Sequence, residues 1–320
     1  SQTYKNFELI ILDNQSSDDT PTTCKRYAKR DSRIRYIVDS KKRFPEGGIT
    51  KAASFAKGKY CMIVNDDDLW DSKYIEILVN HLESHPDIDL CYTNGNYIDV
   101  NNNIISKIVT SEDQRRLNLL SPLSNLTRYI LNRGPIPISF GLYKTKAFYD
   151  LLPYEDFDNL KANVDNHFIA KLFIKKKKVN FINEILFNYR VKGRKLDPKK
   201  VSDMPGLERK DLIGFYYIRH QFFFYKKLLL TFSEQYKPTK NQLDYISSVF
   251  LYSFFKYSAK FFPWLRQMDS NDLKNNCILD KLSQEFSFLA DKSIYNFPKI
   301  GNFYSDSVDN IRFEPVVNLN

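Results

Sequence analysis

Glycine and cysteine are both scarce in this sequence, with 10 and 4 residues among 320. So little glycine excludes a collagen-like or low-complexity chain, and a hydrophobic content of 42% is typical of a folded globular protein. The cysteines are far apart and form no CxxC pair, which argues against a zinc site or a disulfide framework and indicates reduced thiols. There is no secretory signal and no apolar run of about 18 residues, so we expect a cytoplasmic protein without a transmembrane helix.

The chain carries a net charge of +10, which favours anionic partners. Nucleotide diphosphates, acidic lipid headgroups, anionic glycans and nucleic acids all fit this charge. A nucleic-acid partner is not expected, because no recognised nucleic-acid motif is present and carboxylates cluster where strands are predicted to end.

The most informative stretch is Lys59–Trp70, where an apolar, strand-like run stops in three consecutive carboxylates, Asp66, Asp67 and Asp68. Carboxylates crowded at a strand end repel one another unless a cation holds them together. Hard oxygen ligands of this kind suit Mg²⁺ or Mn²⁺, with phosphate completing the coordination. The alternative is that Asp68 and Asp71 only cap the helix that follows.

Strand-like and helix-like patterns alternate before the acidic stretch, over residues 7–12, 20–31, 34–38, 48–57 and 59–64. This alternation predicts an α/β fold with a doubly wound, mostly parallel sheet. Asp13 and the acidic stretch both follow predicted strands, and the carboxyl ends of parallel strands share one edge. We therefore expect a site for a nucleotide and a metal ion there.

Further elements are predicted along the rest of the first 200 residues. A helix should follow Asp68, with Asp71 or Ser72 as its cap and Trp70 within its apolar pattern, and should end near His85; a hairpin should span Asn94–Ser106. The remaining predicted segments are a strand over 88–92, a helix over 126–131, a strand over 138–143, a helix over 164–173, and strands over 179–182 and 185–190.

The composition changes after the predicted strands. Residues 193–205 are basic and polar, and residues 206–320 are helical in pattern and rich in aromatic residues. We predict one domain over residues 1–200, which carries the expected nucleotide and metal site, and a helical region over 206–320. The second region suits a core extension, a homodimer interface or a contact with a membrane surface.

Four segments in order, Ser1–Leu9, Asp13–Thr20, Ala56–Tyr60 and Asn65–Asp68, closely resemble family 2 of the glycosyltransferases over residues 1–195. The resemblance implies a GT-A type fold, a nucleotide-diphosphate sugar as donor, and transfer with inversion to a hydroxyl of a glycan or lipid-linked acceptor. It also implies a role in bacterial surface polysaccharide synthesis, in the cytoplasm or at the inner face of the plasma membrane.

The same resemblance implies roles on the donor side. Asp13 and Asn14 stand where the nucleobase and ribose are contacted. Asn65 and Asp66 stand beside the ribose or metal, and Asp67 is the carboxylate that binds Mn²⁺ or Mg²⁺. Family members usually have acids where this sequence has Asn14 and Asn65.

On the acceptor side the resemblance makes Asp165 the catalytic base, with Asp156 and Asp158 as competitors. Arg190 is placed to support the diphosphate or a mobile flap over residues 193–205. Family members also begin with a strand and helix that precede a segment like Gln2-Thr3-Tyr4, and this sequence starts without them. The alternative function is accordingly a nucleotide-sugar-binding module that has lost catalysis.

Overall fold

The computed structural model describes residues 1–41, 45–108, 121–132, 136–153 and 164–191, together with 224–225, 227–243, 245–246, 249 and 253. The chain divides into two compact units. The first contains residues 1–206 and 220–237, and the second contains residues 207–219 and 238–320. The competing carboxylates Asp156 and Asp158 and the polar segment 193–205 lie outside the described residues.

The first unit begins with the elements β1 Leu9–Asp13, α1 Thr20–Arg30, β2 Ile34–Val38, α2 Pro45–Ala53, β3 Tyr60–Cys61, β4 Leu69–Trp70, α3 Tyr74–Ser84, β5 Leu90–Ile98 and β6 Ile104–Ile108. After them come α4 Pro122–Asn132, a 3-10 helix over Ile136–Phe140, β7 Leu142–Lys144, α5 Thr145–Leu151, α6 Val164–Ile174 and β8 Val179–Arg190. A further helix, α7, covers residues 227–236.

These strands form two sheets. The first pairs β1 with β2 in parallel, with Asp13 opposite Val38. The second has the order β3-β7-β5-β8-β4, with β6 added to β5. Its longest ladder joins β5 and β8 in parallel, whereas β3, β4, β6 and β7 join through short antiparallel ladders. The α/β fold class is confirmed, and the two longest ladders are parallel.

Several local expectations need correction. β3 does not join β1 in one sheet, because it pairs with β7, a strand from much later in the chain. Leu69 and Trp70 form a strand instead of the first helical turn, because they pair with Asn188 and Phe187 of β8. Helix α3 therefore starts only at Tyr74.

Two other segments also differ from expectation. The segment predicted as a strand over 138–143 is mostly the 3-10 helix, and strand β7 starts at Leu142. The hydroxyl of Tyr143 donates to the carbonyl oxygen of Ile138 at 2.7 Å and so holds this turn closed. Helix α2 already begins at Pro45, which suits a first turn because proline has no N–H to leave unpaired.

The core of the first unit lies between α3 and the larger sheet. Tyr74, Leu78 and Leu82 follow one another at helical spacing and are at most 1% exposed. They pack in one cluster with Cys91 of β5 and Phe187 of β8. Burial of each such side chain contributes about 1.5–3 kcal/mol, so this face fixes α3 directly behind the acidic stretch.

The second unit is described only in part. Residues 240–243, 245–246, 249 and 253 are helical, and Thr239 and Gln242 exchange hydrogen bonds at the start of this helix. Within the part of the chain that the structure describes, every helix is too short or too polar to cross a bilayer.

Candidate active site

Asp13 ends strand β1 and is almost fully buried, with 4% of its surface exposed. The backbone N–H of Ser16 donates to its Oδ1 at 2.8 Å, and the hydroxyl of Tyr36 donates to its Oδ2. Tyr36 reaches Asp13 because β1 and β2 are in parallel register, which puts the two residues on one face as diagonal neighbours.

These contacts decide the charge of Asp13. Burial alone would raise the pKa of this carboxyl, but the hydrogen bonds from Tyr36 and Ser16 outweigh burial and lower the pKa below its ordinary value. In return, the hydrogen bond to Asp13 is the main cause that raises the pKa of Tyr36 to about 12. Asp13 is therefore a carboxylate at neutral pH, able to accept hydrogen bonds from N–H or O–H groups of a ligand.

A second buried carboxylate, Asp39, lies beside Asp13 and was missed by the sequence analysis. It is 4% exposed, and its backbone N–H donates to the carbonyl oxygen of Asp13 at 2.8 Å. The side chain of Gln15, a residue with φ 63°, donates to the carbonyl oxygen of Asp39 at 3.1 Å. The signal that could have found Asp39 is its position directly after β2, next to the end of β1 where Asp13 lies.

We call residues 65–68 the acidic loop. The side-chain amide of Asn65 donates to Oδ2 of Asp68 at 3.1 Å, and the backbone N–H of Arg190 donates to Oδ1 of Asp68 at 2.8 Å. Arg190 also donates through Nε to the carbonyl oxygen of Asp67 at 2.7 Å. The structure thus brings Asn65, Asp67, Asp68 and Arg190 together, with Asp66 exposed beside them.

Asp68 is the buried member of the loop. Burial is the main cause that raises the pKa of its carboxyl, and the charge of Asp67 raises it further, although hydrogen bonds from Arg190 and Asn65 lower it in part. Of the two caps that the alternative proposed for α3, Asp68 instead accepts from Asn65 and Arg190. The capping role falls to Asp71, whose Oδ1 accepts from the N–H of Lys73 at 2.8 Å, and to Gln2, whose Oε1 accepts from the N–H of Ile75 at 3.1 Å.

The acidic loop suits a divalent cation that a ligand helps to bind. Among the described residues, no three His, Cys, Asp or Glu side chains form a preassembled metal cluster. Mg²⁺ and similar hard cations are commonly held by one or two carboxylates, with phosphate and water supplying the other oxygens. Asp66 and Asp67 offer such carboxylates, so the donor set fits an ion that a diphosphate completes.

Asp165 lies at the start of α6 and is exposed. The next residue, Asn166, anchors this helix end, because the hydroxyl of Tyr129 donates to its carbonyl oxygen at 2.8 Å and contacts its Oδ1 at 2.9 Å. Tyr143 lies near Asp165: burial is the main cause that raises the pKa of its hydroxyl, and the charge of Asp165 contributes. Asp165 thus projects from a fixed helix end next to the core of the first unit.

Asn14 follows Asp13 and is partly buried. The predicted site residues therefore fall in three places: Asp13 and Asn14 after β1, the acidic loop with Arg190, and Asp165 on α6. Of these, the described contacts join the acidic loop to Arg190 directly.

Comparisons with known proteins identify the class of protein. Residues 1–151 match the family model for Glycosyl transferase family 2. An uncharacterized glycosyltransferase, MJ1057 of Methanocaldococcus jannaschii, is 22% identical over 259 residues, which are 81% of this chain and 78% of that protein.

Two other similar proteins have more specific names. The Escherichia coli protein WfgD, a UDP-Glc:alpha-D-GlcNAc-diphosphoundecaprenol beta-1,3-glucosyltransferase, is 27% identical over 168 residues, 50% of this chain and 63% of that one. In fold, the chain is similar to S. aureus TarS 1-349 in complex with UDP-GlcNAc, with a TM-score of 0.54 and 15% identity over 81% of this chain and 67% of that chain.

The family match and the fold together define a glycosyltransferase with a GT-A type fold. More particularly, residues 1–151 belong to glycosyltransferase family 2.

Proposed function

We propose that this protein transfers a sugar, with inversion, from a nucleotide-diphosphate donor to a hydroxyl of a glycan or lipid-linked acceptor in bacterial surface polysaccharide synthesis. The observation that carries the proposal is the acidic loop tied to Arg190, since it offers carboxylates for a diphosphate-bound cation within a family 2 domain. The likeness to WfgD, named for a UDP-glucose donor and a lipid diphosphate acceptor, supports this choice of substrates.

On the donor side, Asp13 and Asn14 receive the nucleobase and ribose. Asp13 suits this role because it is held ionised and carries lone pairs that accept N–H and O–H groups. Asn65 and Asp66 would stand beside the ribose or metal, and Arg190 belongs to this side through its contacts with Asp67 and Asp68.

Asp67, with Asp66 next to it, would hold Mn²⁺ or Mg²⁺. Such an ion, when bound, neutralises negative charge that builds on the diphosphate as it leaves. The protein itself contributes the fixed loop: Arg190 holds the carbonyl of Asp67, and Asp68 is held from both sides by Arg190 and Asn65.

On the acceptor side, Asp165 acts as general base. It removes the proton of the acceptor hydroxyl while that oxygen forms a bond to the anomeric carbon of the donor sugar. The bond from this carbon to the diphosphate oxygen breaks in the same step, and the nucleoside diphosphate leaves with the electron pair. Attack opposite to the leaving group inverts the configuration.

A transfer assay tests the proposal. The chain is incubated with UDP-glucose or UDP-GlcNAc, Mn²⁺ and a lipid-diphosphate GlcNAc acceptor, and the product is analysed by mass spectrometry and its anomeric configuration by NMR. Asp165→Asn should lower turnover by about 100-fold or more, because it removes the base. Binding of UDP should stay unchanged.

Asp156→Asn and Asp158→Asn serve as matched variants, because these carboxylates compete for the role of base. If either of them removes activity while Asp165→Asn keeps it, the assignment of Asp165 is wrong. If the wild-type chain binds the nucleotide sugar with Mn²⁺ and neither transfers nor hydrolyses it, the protein is instead a binding module without catalysis.

The proposed partners include a membrane surface and a second copy of the chain, both through residues 206–320. Flotation with anionic vesicles tests the first of these, and light scattering on the purified protein tests the second.

A further inference from the structure

A turn outside the predicted site contacts it from the neighbouring hairpin. This hairpin turn, residues 99–103, connects β5 and β6. The carboxylate of Asp99 accepts from the backbone N–H groups of Asn101 and Asn103 at 2.8 and 2.9 Å, and from the side-chain amide of Asn103 at 3.0 Å. The backbone closes as well, since the N–H of Asp99 donates to the carbonyl of Asn103 at 3.0 Å.

These hydrogen bonds give the turn a defined shape and charge. They are the main cause that lowers the pKa of Asp99, with a contribution from the charge of Arg190, so Asp99 stays ionised. Asn102 stands at the tip with φ 70°, a left-handed conformation that asparagine adopts more readily than most residues. The turn therefore presents the side chain of Asn102 from a fixed backbone.

Arg190 joins this turn to the acidic loop. Its NH1 donates to the carbonyl of Asp99 and its NH2 to Oδ1 of Asn102, each at 2.6 Å. Its Nε donates to the carbonyl of Asp67 at 2.7 Å, and its backbone N–H holds Asp68. One planar guanidinium thus fixes two loops relative to each other, and planar geometry makes such contacts directional.

We propose that the hairpin turn 99–103 is a positioning element for the donor site, in which Asn102 and Arg190 hold the acidic loop in the arrangement that binds a nucleoside diphosphate with a divalent cation. Asn102 is a positioning residue that acts through Arg190. The inference rests on the proposed function for its ligand, and it assigns a role to Asn102, which is not among the residues named from the family resemblance.

Holding the acidic loop in one conformation costs free energy. A loop with three consecutive carboxylates is pushed apart by like charge, and the strand that follows residues 65–68, β4, has only two residues. Mutation of residues that orient the ligands of a metal site commonly lowers the affinity for the metal by about 10-fold to 100-fold. Removal of the Asn102 contact should therefore weaken ligand binding more than it weakens the fold.

The variant Asn102→Gly tests this, because glycine accepts the positive φ and loses only the side-chain acceptor. Asn102→Asp is the conservative variant, since a carboxylate oxygen still accepts from Arg190. Asn101→Gly is the matched control: it adds the same backbone freedom one residue earlier, where the described hydrogen bond uses the backbone N–H.

Two measurements are made on the full chain. Free Mn²⁺ is measured by electron paramagnetic resonance at fixed UDP, which gives the affinity for the ion without an activity assay. Amide hydrogen exchange of a peptide containing residues 65–70 is followed without nucleotide. We expect Asn102→Gly to weaken Mn²⁺ binding about 10-fold and to speed this exchange, with Asn102→Asp and Asn101→Gly close to wild type.

The proposal is overturned if Asn102→Gly leaves both measurements unchanged, if Asn101→Gly has the same effect, or if Asn102→Asp fails to restore them. Failure of the proposed function can be told apart from these results. If the wild-type chain does not bind UDP with Mn²⁺, the function is wrong, while the exchange comparison without nucleotide still decides whether the turn holds the loop.

Discussion

The hydrogen bond from Tyr36 to Asp13 can be removed to test whether it stabilises the ionised carboxylate of Asp13. The substitution Tyr36→Phe removes the hydroxyl and keeps the ring. Asp13 would remain buried, at 4% exposure, with the N–H of Ser16 as a donor but without Tyr36. Since hydrogen bonds to charged groups contribute about 1.5–3 kcal/mol, we expect the free energy of unfolding at neutral pH to fall by that amount.

The effect of Tyr36→Phe on the free energy of unfolding should depend on pH. The pKa of Asp13 in the folded protein is lower than its ordinary value of 3.8, so its ionised form stabilises the fold above that value. This stabilisation is lost as the pH falls through the folded pKa. The difference between wild type and Tyr36→Phe should therefore be largest above about pH 5 and should shrink in more acidic solution.

Urea unfolding at several pH values, followed by circular dichroism, measures both quantities. A loss of 1.5–3 kcal/mol corresponds to a decrease in melting temperature of about 3–12 °C for a domain of this size. Tyr27→Phe is the control, because Tyr27 is 51% exposed and the same atom is removed from the surface. A Tyr36→Phe protein as stable as the Tyr27→Phe protein, or a difference that does not change with pH, would refute the account of Asp13.

Two further predictions concern the backbone. Gly95→Ala should lower the free energy of unfolding by about 1–3 kcal/mol, because a Cβ there would lie 2.8 Å from the carbonyl oxygen of Phe187. Gly48→Ala is the control in the same urea titration: a Cβ there would meet no atom within 4 Å, so the variant should be neutral or stabilising. An equal loss in both variants would contradict the prediction. Lys176→Gly should raise stability by about 0.5–1 kcal/mol, because Lys176 ends α6 with φ 54° in a Schellman motif where glycine is favoured. Lys176→Ala keeps the strained φ, so a gain of the same size in calorimetry of that variant would count against this explanation.

Elements with a local signal were predicted well from the sequence. Helix α1 has Pro21 in its first turn as predicted, although its N-cap is Asp19 and not Thr20, and β2 has the predicted bounds Ile34–Val38. Helix α6 was found from the spacing of its apolar residues and begins at the predicted Val164. Capping, proline geometry and periodicity act over a few residues, so a single sequence contains them.

The features that were not predicted from the sequence depend on contacts between residues far apart in the chain. Leu69 and Trp70 form a strand because they pair with β8, which lies more than a hundred residues later in the chain. The contacts of Arg190 with Asp67, Asp99 and Asn102 join segments about 90 to 120 residues apart, so no local pattern could reveal them. Asp39 was missed for a different reason: its signal was present but weaker than the acidic run.

The measurement that tests the central claim most directly is a thermal shift with UDP-glucose and UDP-GlcNAc, each with and without Mn²⁺, on the wild-type chain and on Asp67→Asn. We predict that one of these nucleotide sugars raises the midpoint by about 5–10 °C at saturating concentration, only together with Mn²⁺ and only in the wild type. The same rise without Mn²⁺, or an undiminished rise in Asp67→Asn, would contradict a metal-assisted donor site at the acidic loop.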